Sequence, residues 1–265
     1  MLELAVALGV VCLLLAMLLP MLASARTEAH RAQSAANLRG LHGAWAGYLE
    51  LNEGRFPFVP LIDAGWKYGG VRFSTIDDRP FLDPNRPLNP LLAGLPDAPA
   101  LFRSPADKGI GGPTGDVGTG GRTAFRAFGT SYRANHYLLD AGRTALSDVS
   151  RPLAQAEIMT APSRLVVMGE PLWWEVYAET GRDADWYADD GLRANVLYHD
   201  GSVRYSHLRP RTQAGPAVVV PIPRPRFEGL DDPRVPAAPL SDGSASSADA
   251  ADNASTETSA GEDGG

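Results

Sequence analysis

The first 25 residues, "MLELAVALGVVCLLLAMLLPMLASA", constrain this chain more than any other stretch. From residue 2 to residue 25 only Glu3 and Ser24 are clearly polar. A hydrocarbon core of ~30 Å is crossed by about 20 residues of helix, so the run is long enough to span. A carboxylate in such a helix costs roughly 2.5–3.5 kcal/mol at mid-bilayer, so Glu3 is the residue that needs a role. Pro20 lacks an N–H and is expected to kink the helix or loosen one turn, which membrane helices tolerate. Two other uses of the run compete with an anchor. Ala23-Ser24-Ala25 has the small residues of a signal cleavage site, yet the positive n-region is missing and Glu3 stands there instead. A lipoprotein signal ending at Cys12 needs a small residue where Val11 stands. Cys12 is the single cysteine, so the soluble part has no internal disulfide and no cysteine-based metal cluster.

The helical pattern continues past the apolar run, through "RTEAHRAQSAANLRGLHGAWAGYLELNEG". Leu38, Leu41, Trp45, Tyr48 and Leu49 recur at spacings of three and four and form one apolar stripe. Arg26, Glu28, Arg31 and Arg39 fall largely off it, and Asn52-Glu53-Gly54 is a stop signal. One helix over residues 2–51 is about 75 Å long at 1.5 Å per residue. Its first half is apolar on every side, and its second half must lie against something.

Residues 55–129 are rich in Pro, Gly and Asp and read as loops with short strands, one of them near residues 70–74. Residues 106–122 form a Gly-rich surface loop. Strand-like runs follow at 130–138, 164–171 and 194–208. In the last, Asp200-Gly201 between alternating segments predicts a tight hairpin turn. The fold class is therefore α+β: a long N-terminal helix, transmembrane and then amphipathic, packed on a small antiparallel sheet. The expected organisation is a transmembrane half (1–25), an amphipathic half (26–53), an α+β domain (54–208), a Pro-rich extended segment (209–235) and a disordered acidic tail (236–265). The net charge is −7, but six of the negative charges follow Arg234, after which there is no Lys or Arg. The rest is nearly neutral and carries no basic stripe, which argues against nucleic-acid binding.

Taken together these blocks resemble the type IV pilins and the type II secretion pseudopilins. In that family a leader ends in Gly, and an F-T-L-I-E run opens an apolar helix with a proline near its far end. Glu3 and Pro20 stand at the matching separation. "ASARTEAHRAQSAANLRGLHGAW" is similar to the family's continuation, with Asn37-Leu38-Arg39 in register and Ser34 near the position of its cysteine. "FRSPADKG" resembles F-x-C-P-x-D with Ser104 where cysteine is common, "GTSYRANHYL" resembles the S-Y-x-x-N strand, and "ANVLYHDGSVRY" the terminal hairpin. Three positions depart from the pattern. Met1 stands only two residues before Glu3, so the leader is missing and a start codon misassigned downstream of the true one is favoured. Asp190 stands where the family has a histidine, and Ser202 follows Asp200-Gly201.

The resemblance implies a structural subunit of a pseudopilus or pilus-like fibre of a bacterial secretion system, and not an enzyme. It implies a single-pass inner-membrane protein with its globular domain in the periplasm. Its partners are then other pseudopilin subunits, the inner-membrane assembly platform and, where a leader exists, the prepilin peptidase. On the resemblance, Glu3 is expected to neutralise the N-terminal amine of a neighbouring subunit during assembly, and such pairing would also set axial register. The plainer role for Glu3 is an anion at a helix N-terminus.

The alternative is a signal-anchored or secreted metal-dependent hydrolase or binding protein with a site near His199. His199-Asp200, with Asp185, Asp189 and Asp190 upstream, has suitable ligand types, but adjacent residues of a hairpin point to opposite faces. No cofactor is expected, with Asp107 and Asp116 in the Gly-rich loop as weak calcium candidates. Trp173-Trp174, Trp186 and Tyr187 form either an exposed aromatic patch or part of the core, the core being the expectation.

Overall fold

In the computed structural model the described residues are 2–60, 64–111, 119–144, 149–187, 192–211 and 217–222, without the side chains of 2–6, 10, 11 and 15. The acidic tail expected at 236–265 and most of the Pro-rich segment lie outside them. The chain divides at Pro225, and all of the described residues fall in the first unit.

The elements run α1 (Leu2–Leu51), β1 (Val71–Phe73), β2 (Pro80–Leu82), α2 (Asn89–Leu92), α3 (Ala98–Leu101), α4 (Ala124–Phe128), β3 (Arg133–Ala134), α5 (His136–Leu139), β4 (Val166–Gly169), α6 (Leu172–Tyr177), β5 (Arg193–Tyr198) and β6 (Val203–His207). Helix α1 is the single 50-residue helix that the two successive patterns predict, and it passes through Pro20 without a break. It ends where expected. The Gly54 N–H bonds back to the Leu49 carbonyl at 2.7 Å, with Glu53 and Gly54 both at positive φ.

The main sheet is antiparallel in the order β3-β4-β5-β6, and β1-β2 is a separate two-stranded hairpin. The stripe of α1 lies on one face of the main sheet. Leu38, Leu41, Trp45 and Leu49 are buried there with Leu88, Phe102, Tyr132, Met168 and Leu197. Trp45 stacks on Tyr68 at 5.7 Å between ring centres. The opposite face packs Val166, Val196 and Tyr198 against Trp173 and Val219. A register shift between Val166 and Met168 lets Val167 and Met168 both join the α1 side, as a bulge does by adding one residue to a strand.

The strand expected at 130–138 is only two residues long. Asn135 ends it: its Oδ1 accepts from the Tyr137 N–H at 3.1 Å and starts α5. Its amide donates to the carbonyls of Val166 and Val219, at 2.8 and 2.7 Å. Asn135 thereby joins β4 to residues 217–222, which run beside β4 where β3 has left it. The Val166 N–H bonds to the Val218 carbonyl at 2.9 Å, and the Val218 N–H to that of Arg164 at 2.7 Å. Part of the extended segment beyond residue 208 thus belongs to the sheet.

The Pro- and Gly-rich region is ordered by buried polar groups. The Arg86 guanidinium donates to the carbonyls of Trp66, Gly69 and Phe128. The Asn89 amide donates to those of Gly70 and Asp83, both at 2.6 Å. Gly129 is at φ 82°, and a Cβ there would sit 2.1 Å from the Val71 carbonyl oxygen. Gly129→Ala combines left-handed strain with a backbone clash and is expected to cost on the order of 3 kcal/mol, read as a lower urea midpoint.

Trp173 and Trp186 are buried, in keeping with the core reading, and Trp174 is half-buried. Trp174 stacks edge-on against His136 at 4.4 Å. Burial, with Arg133 and Arg143 nearby, pushes the His136 imidazole down from 6.5 to about 4. As pH falls the unfolded chain takes up this proton first, so the stability is full above 6.5 and is lost toward 4. The fall of Tm with pH across that window is expected to be shallower in His136→Phe than in the wild type.

Candidate assembly helix and its anchorage

The two halves of α1 meet different surroundings. From Leu8 to Leu22 every large apolar side chain that is described is bare, from 49% exposed at Leu18 to 69% at Met21. Burying each is worth about 1.5–3 kcal/mol, so water is a poor medium for this half. Among the described residues, α1 is the one helix long and apolar enough to cross a membrane. Glu3 lies in its first turn, and its side chain is outside the described residues.

The junction between the bare half and the domain is polar and buried. Ser34, fully buried on α1, donates its hydroxyl to Glu170 at 2.6 Å. Glu170 follows β4 and is 1% exposed. It accepts from the Tyr187 hydroxyl at 2.6 Å, from the Asn195 N–H at 2.8 Å and from the Asn195 amide at 3.4 Å. The Asn195 amide also reaches the Arg31 carbonyl of α1 at 3.2 Å. The Tyr132 hydroxyl meets Ser34 Oγ at 3.2 Å. Burial pushes the Glu170 carboxyl up, and the hydrogen bonds from Ser34, Tyr187 and Asn195 partly offset it. Burial and then the Glu170 charge push Tyr187 up as well.

This arrangement fixes the helix about its own axis. Ser34 and the Arg31 carbonyl share one face of α1, and one residue of rotation is ~100°, which would remove both from their partners. Arg31 closes the junction on its outer side, its guanidinium 4.3 Å from the Tyr205 ring centre, beside an ion pair to Glu28 at 2.6 Å.

The hairpin turn is at Asp200 and Gly201. The Gly201 N–H bonds to the Tyr198 carbonyl at 3.0 Å, with Gly201 at φ 82°. Asp200 Oδ1 accepts from the Ser202 N–H and hydroxyl, at 2.9 and 2.6 Å. The turn rests on α1, since a Cβ on Gly201 would lie 2.7 Å from the His42 ring. His199 points elsewhere: its Nε2 accepts from the Gln155 amide at 2.8 Å, and its ring lies 5.7 Å from that of Phe56. Burial, and then His42, lowers its pKa. Asp185 Oδ1 accepts from the Tyr187 N–H; Asp189 and Asp190 lie outside the described residues. Among the described residues no group of three His, Cys, Asp or Glu is placed to hold a metal ion.

Asp107 is committed to local structure. Its carboxylate accepts from the N–H groups of Gly109, Ala124 and Phe125, at 2.8–2.9 Å, and from the Ser131 hydroxyl at 2.6 Å. It thereby caps the start of α4 and ties it to Ser131, just ahead of β3. Asp116 lies outside the described residues.

Glu170, Ser34 and Asn195 are the residues that sequence patterns pass over as a set. The available signal is polar groups at inward positions: an acid directly after "VVMG", an Asn within "ANVLY", and a Ser on the stripe of α1. No family model matches the chain, and neither does any curated protein or solved structure.

Proposed function

We propose that the chain is a membrane-anchored structural subunit of a pilus-like fibre, of the pseudopilus type used in bacterial secretion. One observation carries the reading: a single continuous helix is apolar over its first half, with the large apolar side chains described there bare, and is locked to an antiparallel sheet over its second. A helix of that build serves two environments in turn. It holds the subunit in the inner membrane with the domain in the periplasm, and it packs against the same helix of other subunits in a fibre. Fixed rotation between helix and domain has a use there, because it gives every subunit the same orientation around the bundle. The glutamate near the start of the helix supplies axial register by pairing with a neighbour's N-terminal amine. The assembly platform and a prepilin peptidase are the further partners of this reading.

The test is the mass of the N-terminal peptide of the native protein from a membrane fraction of its host. A methylated terminus a few residues upstream of Glu3 is the expected result. A terminus at Arg26, with the protein in the soluble fraction, would overturn the reading and favour a secreted protein.

A further inference from the structure

Contacts between the sheet and α1 fix how far the domain stands from the apolar run. The Asn195 amide meets the Arg31 carbonyl at 3.2 Å. Gly201, in the turn that follows β5, lies against the His42 ring. Strand β5 and α1 therefore point the same way. From Asn195 back to Arg193 the strand descends about 7 Å. From Arg31 back to Arg26, the first charged residue after the apolar run, α1 descends about 7.5 Å. The start of β5, with His207 of β6 paired to Arg193, thus lies level with Arg26. Where residues 2–25 cross a hydrocarbon core of ~30 Å, Arg26 emerges among the lipid headgroups, and this edge of the sheet enters the same layer.

Leu192 occupies the edge in a way that water does not explain. It is 47% exposed and stands at φ 46°, in the left-handed region that a leucine seldom adopts. Its carbonyl accepts from the Leu208 N–H at 3.0 Å, which ties it to the end of β6. Arg193 beside it is exposed, as is Arg26. Arg193 shares the strand face of Asn195 and Leu197, the face that meets α1. One level higher the Arg31 guanidinium lies over the rings of Tyr205 and Tyr187, at 4.3 and 5.1 Å. Tyrosine rings and the long stems of arginine settle where a bilayer meets water, their apolar parts inward and their polar ends at the headgroups.

We propose that this edge of the domain docks on the phospholipid headgroup layer of the bilayer that holds α1. Leu192 enters the layer, and Arg26 and Arg193 flank it at the phosphates. The proposal rests on α1 being a membrane anchor. It adds a second footing to the lock at Glu170: the lock fixes the domain on the helix, and the docked edge fixes the tilt of the helix in the membrane, which is set by such interfacial contacts.

The experiment uses the full chain with Cys12→Ser in phosphatidylcholine nanodiscs. Single cysteines at His207→Cys, Glu50→Cys or Leu14→Cys carry an NBD fluorophore. Quenching is read from lipids with a nitroxide on the headgroup or deep in the acyl chain. The headgroup nitroxide is expected to quench position 207 at least threefold more than position 50, and the deep nitroxide to act mainly on position 14. Leu192→Asp/Arg193→Glu is expected to lower quenching at 207 at least twofold and to leave position 14 unchanged; aspartate tolerates positive φ better than leucine does. Leu192→Met is expected to retain the quenching. A thermal melt equal to that of the parent chain keeps loss of fold apart from loss of docking. Quenching at 207 no greater than at 50, with position 14 still quenched, would overturn the docking and leave the anchor standing. Unchanged quenching at 207 in the folded double variant would overturn it too. Absence of quenching at position 14 would overturn the anchor and the docking together.

Discussion

Glu170→Ala is expected to cost about 3–5 kcal/mol, a large share of the 5–15 kcal/mol that holds a domain together. The carboxylate is the common acceptor of Ser34, Tyr187 and Asn195, from three separate parts of the chain. Without it, two hydroxyls and a backbone N–H are buried with nothing to receive them, at about 1–3 kcal/mol each. Ser34 Oγ still accepts from the Tyr132 hydroxyl at 3.2 Å, so its oxygen keeps one partner. Glu170→Gln keeps the shape and one acceptor but turns an amide N–H toward a donor, so its cost is expected to be smaller, about 1–2 kcal/mol. Urea unfolding of the full chain in a zwitterionic detergent measures both. A Glu170→Ala midpoint equal to that of the wild type would remove the network from the anchorage of α1.

The same residue has a pH signature. Burial raises its pKa above the ordinary 4.5, so the unfolded chain gives up this proton first as pH rises. The advantage of the folded state from this group is therefore complete below about 4.5 and declines as pH rises through the folded value. His136 acts in the opposite sense between 6.5 and about 4. The two are separable because Glu170→Gln and His136→Phe each remove one slope.

What sequence patterns reveal here follows from their length. The stripe on α1 repeats over several turns, so Leu38, Leu41, Trp45 and Leu49 identify the buried face without ambiguity. The Asp200-Gly201 turn is legible because only a residue at ease with positive φ fits the position that Gly201 takes, at 82°. Helices α2 to α6 are four to six residues long, barely one turn and a half, and too short to show a period. Strand β3 is cut short by a side chain, since Asn135 spends its amide on Val166 and Val219 and its oxygen on Tyr137.

The polar centres were illegible for a different reason. Ser34, Glu170 and Asn195 are far apart in the chain, and only the register of β4 on β5, under α1, brings them together. Arg86 likewise gathers the carbonyls of Trp66, Gly69 and Phe128 across 62 residues of Pro- and Gly-rich text. Such residues carry no spacing rule. Their one mark is that a charge stands among residues that have to be inside.

In the proposed fibre Glu3→Ala is expected to leave the protein in the membrane and to reduce sedimentable fibre at least tenfold. The apolar run does not depend on Glu3 to insert; removing a carboxylate makes insertion easier. Assembly is a different matter. In a bundle of apolar helices an N-terminal amine without a partner is costly, and pairing with a carboxylate offsets much of that cost while penalising any slipped register. Glu3→Gln is expected to fail as well, because it keeps the shape and loses the charge. His199→Ala, which touches Gln155 and Phe56 at the far end of the domain, is expected to assemble normally. A glutamate that only faces the helix N-terminus is worth about 0.3–1 kcal/mol, too little to change fibre yield tenfold. Near-normal assembly of Glu3→Gln would thus assign Glu3 to the helix end and leave register to the packing of the apolar half alone.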